Sequence, residues 1–127
     1  MLEIKKEDKY SIILKFNDED VESAIEAFEK ARDSKEKGVL SCIIVDNKIF
    51  KIRHGNSEIN KLLVKLGNSS FYKENSNCVL ELDEEDLEYG IEMLQKCIDS
   101  GFFEVAEFVK VSVSGFKGLV DLYFVKK

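Results

Sequence analysis

Two runs of acidic residues are the most conspicuous polar features of the chain. Asp18-Glu19-Asp20 and Asp83-Glu84-Glu85-Asp86 each precede a stretch in which apolar residues recur at helical spacing. Carboxylates at such positions accept hydrogen bonds from the first helical turn and complement the helix dipole. They are also ligands that hard divalent cations prefer. Because the runs recur at the same helix end and lack the spacing of a calcium-binding loop, we interpret them as helix starts and expect no metal site.

The only histidine and the three cysteines are the remaining candidates for catalysis. His54 has no partner at a spacing recognised for a general base or a metal ligand. Cys42, Cys78 and Cys97 form no Cys-X-X-Cys pair and fall within apolar runs, which is typical of buried, reduced thiols. No common catalytic or phosphate-binding motif is present. We therefore expect no enzyme activity and no cofactor. The less favoured alternative is an enzyme that uses His54, Cys42 or carboxylates in an unfamiliar arrangement.

The charge balance bears on the class of partner. The 127 residues include 25 acidic and 19 basic side chains, for a net charge of −6. An acidic surface repels phosphate groups, so we expect no nucleic-acid binding. It attracts a basic protein and accelerates the encounter with it. The simpler alternative is that moderate negative charge only keeps the protein in solution.

The thiols and the hydropathy pattern bear on location. An odd number of cysteines inside apolar runs favours a reducing compartment. The residues after Met1 have no apolar segment of the length of a signal peptide, and no apolar run is long enough to span a bilayer. We expect a cytoplasmic protein that does not bind membranes.

An internal similarity predicts the fold. Residues 11–34 align with residues 77–100 with nine identical pairs. Both segments begin with alternating apolar residues, which predict a strand, and continue with the apolar spacing of an amphipathic helix. Asn17 or Asp18, and Asp83 in the second copy, are the predicted N-caps. The chain is therefore expected to contain two copies of one unit.

The rest of each copy is predicted to be β-structure. The apolar run Val39–Val45 is typical of a central strand, and Asp46-Asn47 is a candidate hairpin turn into a strand at Lys48–Arg53. In the second copy, Phe103–Val113 is rich in β-branched and aromatic residues and returns through a glycine-containing loop to Leu119–Val125. Each copy is thus predicted to be a β-α-β-β unit.

Between the copies, residues 57–66 place apolar side chains at helical spacing and predict a middle helix, followed by a polar connector at 68–77. The prediction is a single α+β domain over residues 1–127, with copies at about 10–53 and 77–126. The copies would form one mainly antiparallel, six-stranded sheet with the repeated helices on one face.

The function that composition favours is a non-enzymatic protein-binding module. We expect an intracellular inhibitor or immunity-type protein that neutralises a basic partner such as a toxin nuclease. The alternatives are a small-molecule-sensing or regulatory domain acting as a homodimer, and a structural subunit. A last strand at a sheet edge would suit homodimer pairing. The candidate partner-binding residues are the acidic helix starts and two aromatic residues near the C-terminus that ordinary packing could also explain: Asp18, Glu19, Glu22, Asp83, Glu84, Glu85, Phe116 and Tyr123.

Overall fold

The structure, a computed structural model, describes residues 2–34, 40–50, 57–75, 77–113 and 116–127, and for 40–50 and 57–60 it describes the backbone alone. Within these residues the chain is α+β, as predicted, with two helices and eight strands. In chain order they are β1 Glu3–Asp8, β2 Ser11–Phe16, α1 Asp18–Asp33, β3 Leu40–Phe50, β4 Ser57–Leu66, β5 Ser70–Glu74, β6 Asn77–Leu82, α2 Glu84–Ser100, β7 Glu107–Val113 and β8 Leu119–Lys126.

The described strands form one mixed sheet in the order β1-β2-β8-β7-β5-β6-β4-β3. Four antiparallel pairs, β1–β2, β3–β4, β5–β6 and β7–β8, are joined by the parallel pairs β2–β8, β4–β6 and β5–β7. In a flat sheet, strands β1 and β3 would lie about 33 Å apart, seven steps of the usual spacing. Their Cα atoms instead approach within 8 Å. The sheet is therefore strongly curved.

The core lies between this curved sheet and the two helices. Alternate residues of the strands point inwards, so that Leu14 and Phe16 of β2 and Leu122 and Phe124 of β8 are almost fully buried. The alanines of α1 are buried among them and let that helix lie close to β3 and β4. The buried helix residues belong to the same apolar cluster as the strand residues: Val21, Ala24, Ala27, Phe28, Ala31, Leu87, Met93, Leu94 and Cys97.

The two helices run antiparallel and approach each other closely. Arg32, in the last turn of α1, donates a hydrogen bond to Glu88, near the start of α2, at 3.2 Å. The approach is close at Gly90, where a Cβ atom would lie 2.4 Å from Cε2 of Phe28. Only a residue without a side chain fits between the helices at this point.

Both predicted helix starts are confirmed. The side chain of Asn17 accepts a hydrogen bond from the backbone N–H of Asp20 at 2.8 Å, and the Asp20 carboxylate accepts one from the N–H of Asn17 at 2.9 Å. This reciprocal pair is a capping box. Asp83 caps α2 by accepting from the N–H of Asp86 at 2.8 Å. The acids in the first turns thus have the structural role expected of them.

The predicted middle helix at residues 57–66 is wrong, because this segment is strand β4. The spacing of its apolar residues is compatible with both a helix and a strand. In the structure Leu62 and Val64 point inwards and are fully buried, while Leu63 between them faces outwards and is half-buried. Pairing with β3 on one side and β6 on the other satisfies the backbone hydrogen bonds and selects the strand.

The predicted count and pairing of strands also need correction, since the sheet is mixed and has eight strands instead of six. Strand β1 was not predicted, and β5 lies in the segment interpreted as a connector. Asp46-Asn47 lies within β3, where the register with β4 shifts between Ile44 and Lys48, so it marks an irregularity in the strand. Residues 51–53 lie outside the described residues. The strand after α2 begins at Glu107, not at Phe103.

The last strand is not a sheet edge. Strand β8 lies between β2 and β7 and pairs with both. The strands at the ends of the order are β1 and β3, and β1 carries the exposed residues Lys5, Lys6 and Glu7. Charged side chains on an end strand oppose pairing with another chain. The expected route to a homodimer through the last strand is therefore removed.

The two aligned segments adopt the same local conformation. Residues 11–33 and 77–99 each form a strand, a cap residue and a helix. The duplication itself stays a prediction.

Candidate functional site

The two acidic helix starts are not brought together by the fold. Because α1 and α2 are antiparallel, the start of α1 lies beside the end of α2. Burial raises the pKa of the Cys97 thiol, and Asp18 is near enough to raise it further. From Asp83 to Cys97 the helix advances about 21 Å at 1.5 Å per residue. The predicted acidic residues therefore belong to two separate surfaces.

At the start of α1, part of the negative charge is neutralised within the chain. The ammonium group of Lys126, at the end of β8, lies 2.7 Å from Oδ1 of Asp18. This hydrogen bond raises the pKa of Lys126. Glu19 and Glu22 are exposed. One turn further on, Glu26 pairs with Lys30 at 2.9 Å. The first helix thus offers a weaker negative surface than its sequence suggests.

The second helix has a more strongly acidic exposed side. We call it the α2 surface and define it by the residues that line two adjoining depressions: Glu84, Glu85, Glu88, Tyr89, Glu92, Met93, Lys96, Glu104 and Val105. Glu88 is paired with Arg32. Within the part of the chain that the structure describes, the other four glutamates form no ion pair. Lys96 contributes the one positive charge of this surface.

Tyr89 lies at the junction of the two depressions. The residue is 39% exposed, and its ring stacks on Phe108 of β7, with centroids 5.9 Å apart and planes inclined by 25°. Phe108 is nearly buried and packs in turn on Phe124 at 4.4 Å. The packing of Phe108 against the core therefore holds the tyrosine ring in place on the side that faces the interior. An aromatic ring held in this way can contact a partner with little loss of conformational entropy.

The segment between α2 and β7 forms one wall of the surface. Gly101 ends the helix at a φ of 82°, in the left-handed region, and its N–H donates to the carbonyl of Cys97 at 2.7 Å. The hydroxyl of Ser100 bonds to the carbonyl of Phe102 at 2.9 Å. Phe103 then packs on Phe124, with centroids 5.6 Å apart. These contacts hold Glu104 and Val105 beside the second half of α2.

The two depressions differ in shape. The narrower one, which we call the α2 groove, has a volume of about 60 Å³ and is lined by Tyr89, Glu92, Met93, Lys96, Glu104 and Val105. The wider one is a shallow region of about 440 Å³ along the first half of α2, lined by Tyr89 and four glutamates. Val105, which lines the groove, is more than half exposed, so carboxylates and apolar surface lie together here.

Asp86 has a local structural role. The hydroxyl of Ser69 donates to its carboxylate at 3.3 Å and links the loop after β4 to the start of α2. Partial burial, and then the neighbouring carboxylate of Asp83, raise the pKa of Asp86. Asp86 is not among the residues that line the shallow region, whereas Glu84 and Glu85 are.

The two predicted aromatic residues lie away from the α2 surface. Tyr123 is half-buried and alternates with the inward-facing Leu122 and Phe124, so it lies on the outer face of the sheet, opposite the helices. Phe116 is also half-buried and packs edge-on against Tyr10 at 5.6 Å. Neither residue belongs to the same surface as the acidic helix starts.

The described cysteines are buried, as expected. Cys78 is fully buried, and burial raises its pKa to about 12. Burial also raises the pKa of Cys97. Both thiols are therefore protonated at neutral pH and are poor nucleophiles. The side chain of Cys42 and the whole of His54 lie outside the described residues. Among the residues that are described, no three Cys, Asp or Glu side chains converge as a metal site would require.

The sequence reasoning missed Tyr89, Glu92, Glu104 and Val105. A signal for Tyr89 was available, because the tyrosine replaces Ser23 in the alignment of the two segments. It also lies four residues after Glu85 and three before Glu92, which places all three on one side of a helix. The contribution of Glu104 and Val105 depends on the path of the chain after Gly101 and had no local signal.

Comparison with protein-family models, curated proteins and solved structures finds no match for this chain. In the described residues, neither helix has the length and apolar character needed to cross a bilayer.

Proposed function

We propose that this chain is a protein-binding module that receives a basic protein through the α2 surface. The observation that carries the proposal is the coincidence, on one surface, of a rigid, partly exposed tyrosine and four glutamates that form no ion pair with another described residue; three of these glutamates lie on α2 and the fourth, Glu104, lies just after it. Carboxylates of this kind steer a basic partner and suppress acidic ones, and a central aromatic residue is a typical anchor of an interface.

The biological role that fits this surface is that of a cytoplasmic inhibitor or immunity-type protein. A nuclease must attract phosphate groups and is therefore basic around its active site. A rigid acidic helix would bind that basic region by charge and shape and would compete there with the phosphate groups of the substrate, without catalysing a reaction itself. The protonated, buried thiols of Cys78 and Cys97 support a reducing location.

The sensing homodimer receives less support. The α2 groove, at about 60 Å³, is far smaller than the roughly 300–1,000 Å³ of typical small-molecule pockets. The wider region reaches that volume, but four glutamates line it and it lacks the apolar walls that enclose a small ligand.

The test is affinity capture from the native host at low salt, followed by binding kinetics with the purified partner. We expect a basic protein whose association rate falls several-fold for the double variant Glu84→Gln/Glu85→Gln and falls steeply with added salt. The matched control is Glu19→Gln/Glu22→Gln, which removes the same charge from α1 and is expected to bind nearly as the parent. Equal losses in the two variants, or capture of acidic partners only, would contradict the proposal. If the partner is a nuclease, the Glu84→Gln/Glu85→Gln variant should inhibit it less than the parent protein does, and the Glu19→Gln/Glu22→Gln variant should inhibit it nearly as well as the parent.

A further inference from the structure

The α2 groove combines three features: an aromatic residue, apolar side chains and carboxylates. Its lining includes the aromatic residue Tyr89, the apolar residues Met93 and Val105, of which Val105 is exposed, and the carboxylates of Glu92 and Glu104. Neither glutamate forms an ion pair within the described chain. With two glutamates and Lys96 in its lining, the groove therefore presents an aromatic residue and a net negative charge to the same small volume.

We propose that the α2 groove receives an arginine side chain of the basic protein partner, with its guanidinium group against Tyr89 and between Glu92 and Glu104. The inference rests on the protein-binding function proposed above and names the residue type that enters the surface. A guanidinium group is planar, stacks on aromatic rings and donates hydrogen bonds to two carboxylates at once. Its methylene stem would lie along Met93 and Val105.

Other occupants suit the groove less well. An apolar side chain would remove two carboxylates from water without a compensating partner. A lysine ammonium is strongly hydrated and presents no flat face to the tyrosine. Lys96 also lines the groove and repels any cation, so it limits the affinity. Removing the positive charge of Lys96 is therefore an independent way to test whether the occupant is a cation.

The test is an NMR titration of the full chain with acetyl-arginine amide, monitored by backbone amide shifts. Acetyl-citrulline amide is the matched control ligand, because it has nearly the same shape without the charge. We expect arginine-specific shifts at Tyr89, Met93, Glu104 and Val105. The exposed double substitution Glu92→Gln/Glu104→Gln should weaken binding about fivefold, the loss of two exposed charge contacts. Lys96→Gln should strengthen binding, and Glu19→Gln/Glu22→Gln should leave it unchanged.

Two results would overturn the inference. The first is a set of shifts spread over all the acidic residues, together with an equal loss of binding in the α1 and groove variants. This result would indicate general charge attraction. The second is no arginine-specific shift at the groove. In either case capture of a basic partner that depends on Glu84 and Glu85 would leave the protein-binding function standing, because those residues lie outside the groove. The amide spectra of the variants show whether each one is folded.

Discussion

Gly90→Ala tests the close approach of the two helices, which positions the α2 surface. A Cβ atom at residue 90 would lie 2.4 Å from Cε2 of Phe28 and 2.9 Å from Cζ of Phe108. Neither ring has room to retreat, since Phe28 is fully buried and Phe108 packs on Phe124 at 4.4 Å. Because two aromatic rings would have to move, we expect the upper half of the usual cost of overpacking, about 2–3 kcal/mol. Alanine recovers about 0.8–1 kcal/mol through its higher helix propensity.

We therefore expect Gly90→Ala to lower the free energy of unfolding by about 1–2 kcal/mol. Urea denaturation followed by circular dichroism should show a midpoint lower by about 0.5–1 M, for a slope of about 2 kcal/mol per M. Gln95→Ala, at an exposed position of the same helix, is the control and should change stability by less than about 0.5 kcal/mol.

Phe28→Leu removes the ring atoms nearest to the new methyl group. In that background the alanine substitution should cost less, so the two changes should be non-additive in a double-mutant cycle. The reasoning is refuted if Gly90→Ala stabilises the protein by its helix propensity, because the helices would then be further apart than described.

Three other predictions follow from the core, the helix caps and the thiols. Phe71→Ala should lower stability by about 3–5 kcal/mol in thermal or urea unfolding, because Phe71 is fully buried on β5. Phe102→Ala, at a residue that is 54% exposed, should cost less than about 0.5 kcal/mol, and similar losses for both would mean that β5 does not face the core. Asn17→Ala removes the cap of α1 and should cost about 1 kcal/mol, against little change for the exposed Ser23→Ala; equal unfolding midpoints for the two would show that the cap hydrogen bond does not form. The Cys78 thiol should resist alkylation in the folded protein at pH 8 and react readily in urea, as measured by mass spectrometry; rapid modification of the folded chain would show that it is accessible. Burial raises the pKa of this thiol from its ordinary value of 9.0 to about 12 in the folded protein, so its contribution to stability should fall as the pH rises through that range.

The local features of the fold were predictable from sequence, and the pairing of strands was not. Asn17 and Asp83 are caps that act within a single turn, so residue type and spacing identify them. The segment 57–66 contains no such cap residue. Its apolar spacing is compatible with a helix or a strand, and only its pairing with neighbouring strands decides between them. Strand β5 was not predictable from the sequence, because Phe71 is the only residue that it buries in the core and most of its other residues are polar.

For the candidate site, the sequence identified acidic residues correctly as helix starts but grouped together residues that the fold separates. Glu84 and Glu85 line the α2 surface, whereas Asp18 lies near the other end of that helix and pairs with Lys126. Tyr123 was included because it is aromatic, and the strand pairing places it on the opposite face of the sheet. Which charges share a surface depends on helix direction and sheet order, and these are set by contacts distant in sequence.

The pairing of β2 with β8 has a consequence for how the chain reaches its native state. These strands join residues 11–16 to residues 121–126, so the β1–β2 hairpin has one unsatisfied side until residues 121–126 have been synthesised. Closing so long a loop carries a large entropic penalty before any contact offsets it, which predicts slow folding. Until then the newly made hairpin exposes a free strand, and a ribosome-associated chaperone that shields it would protect the nascent chain from aggregation.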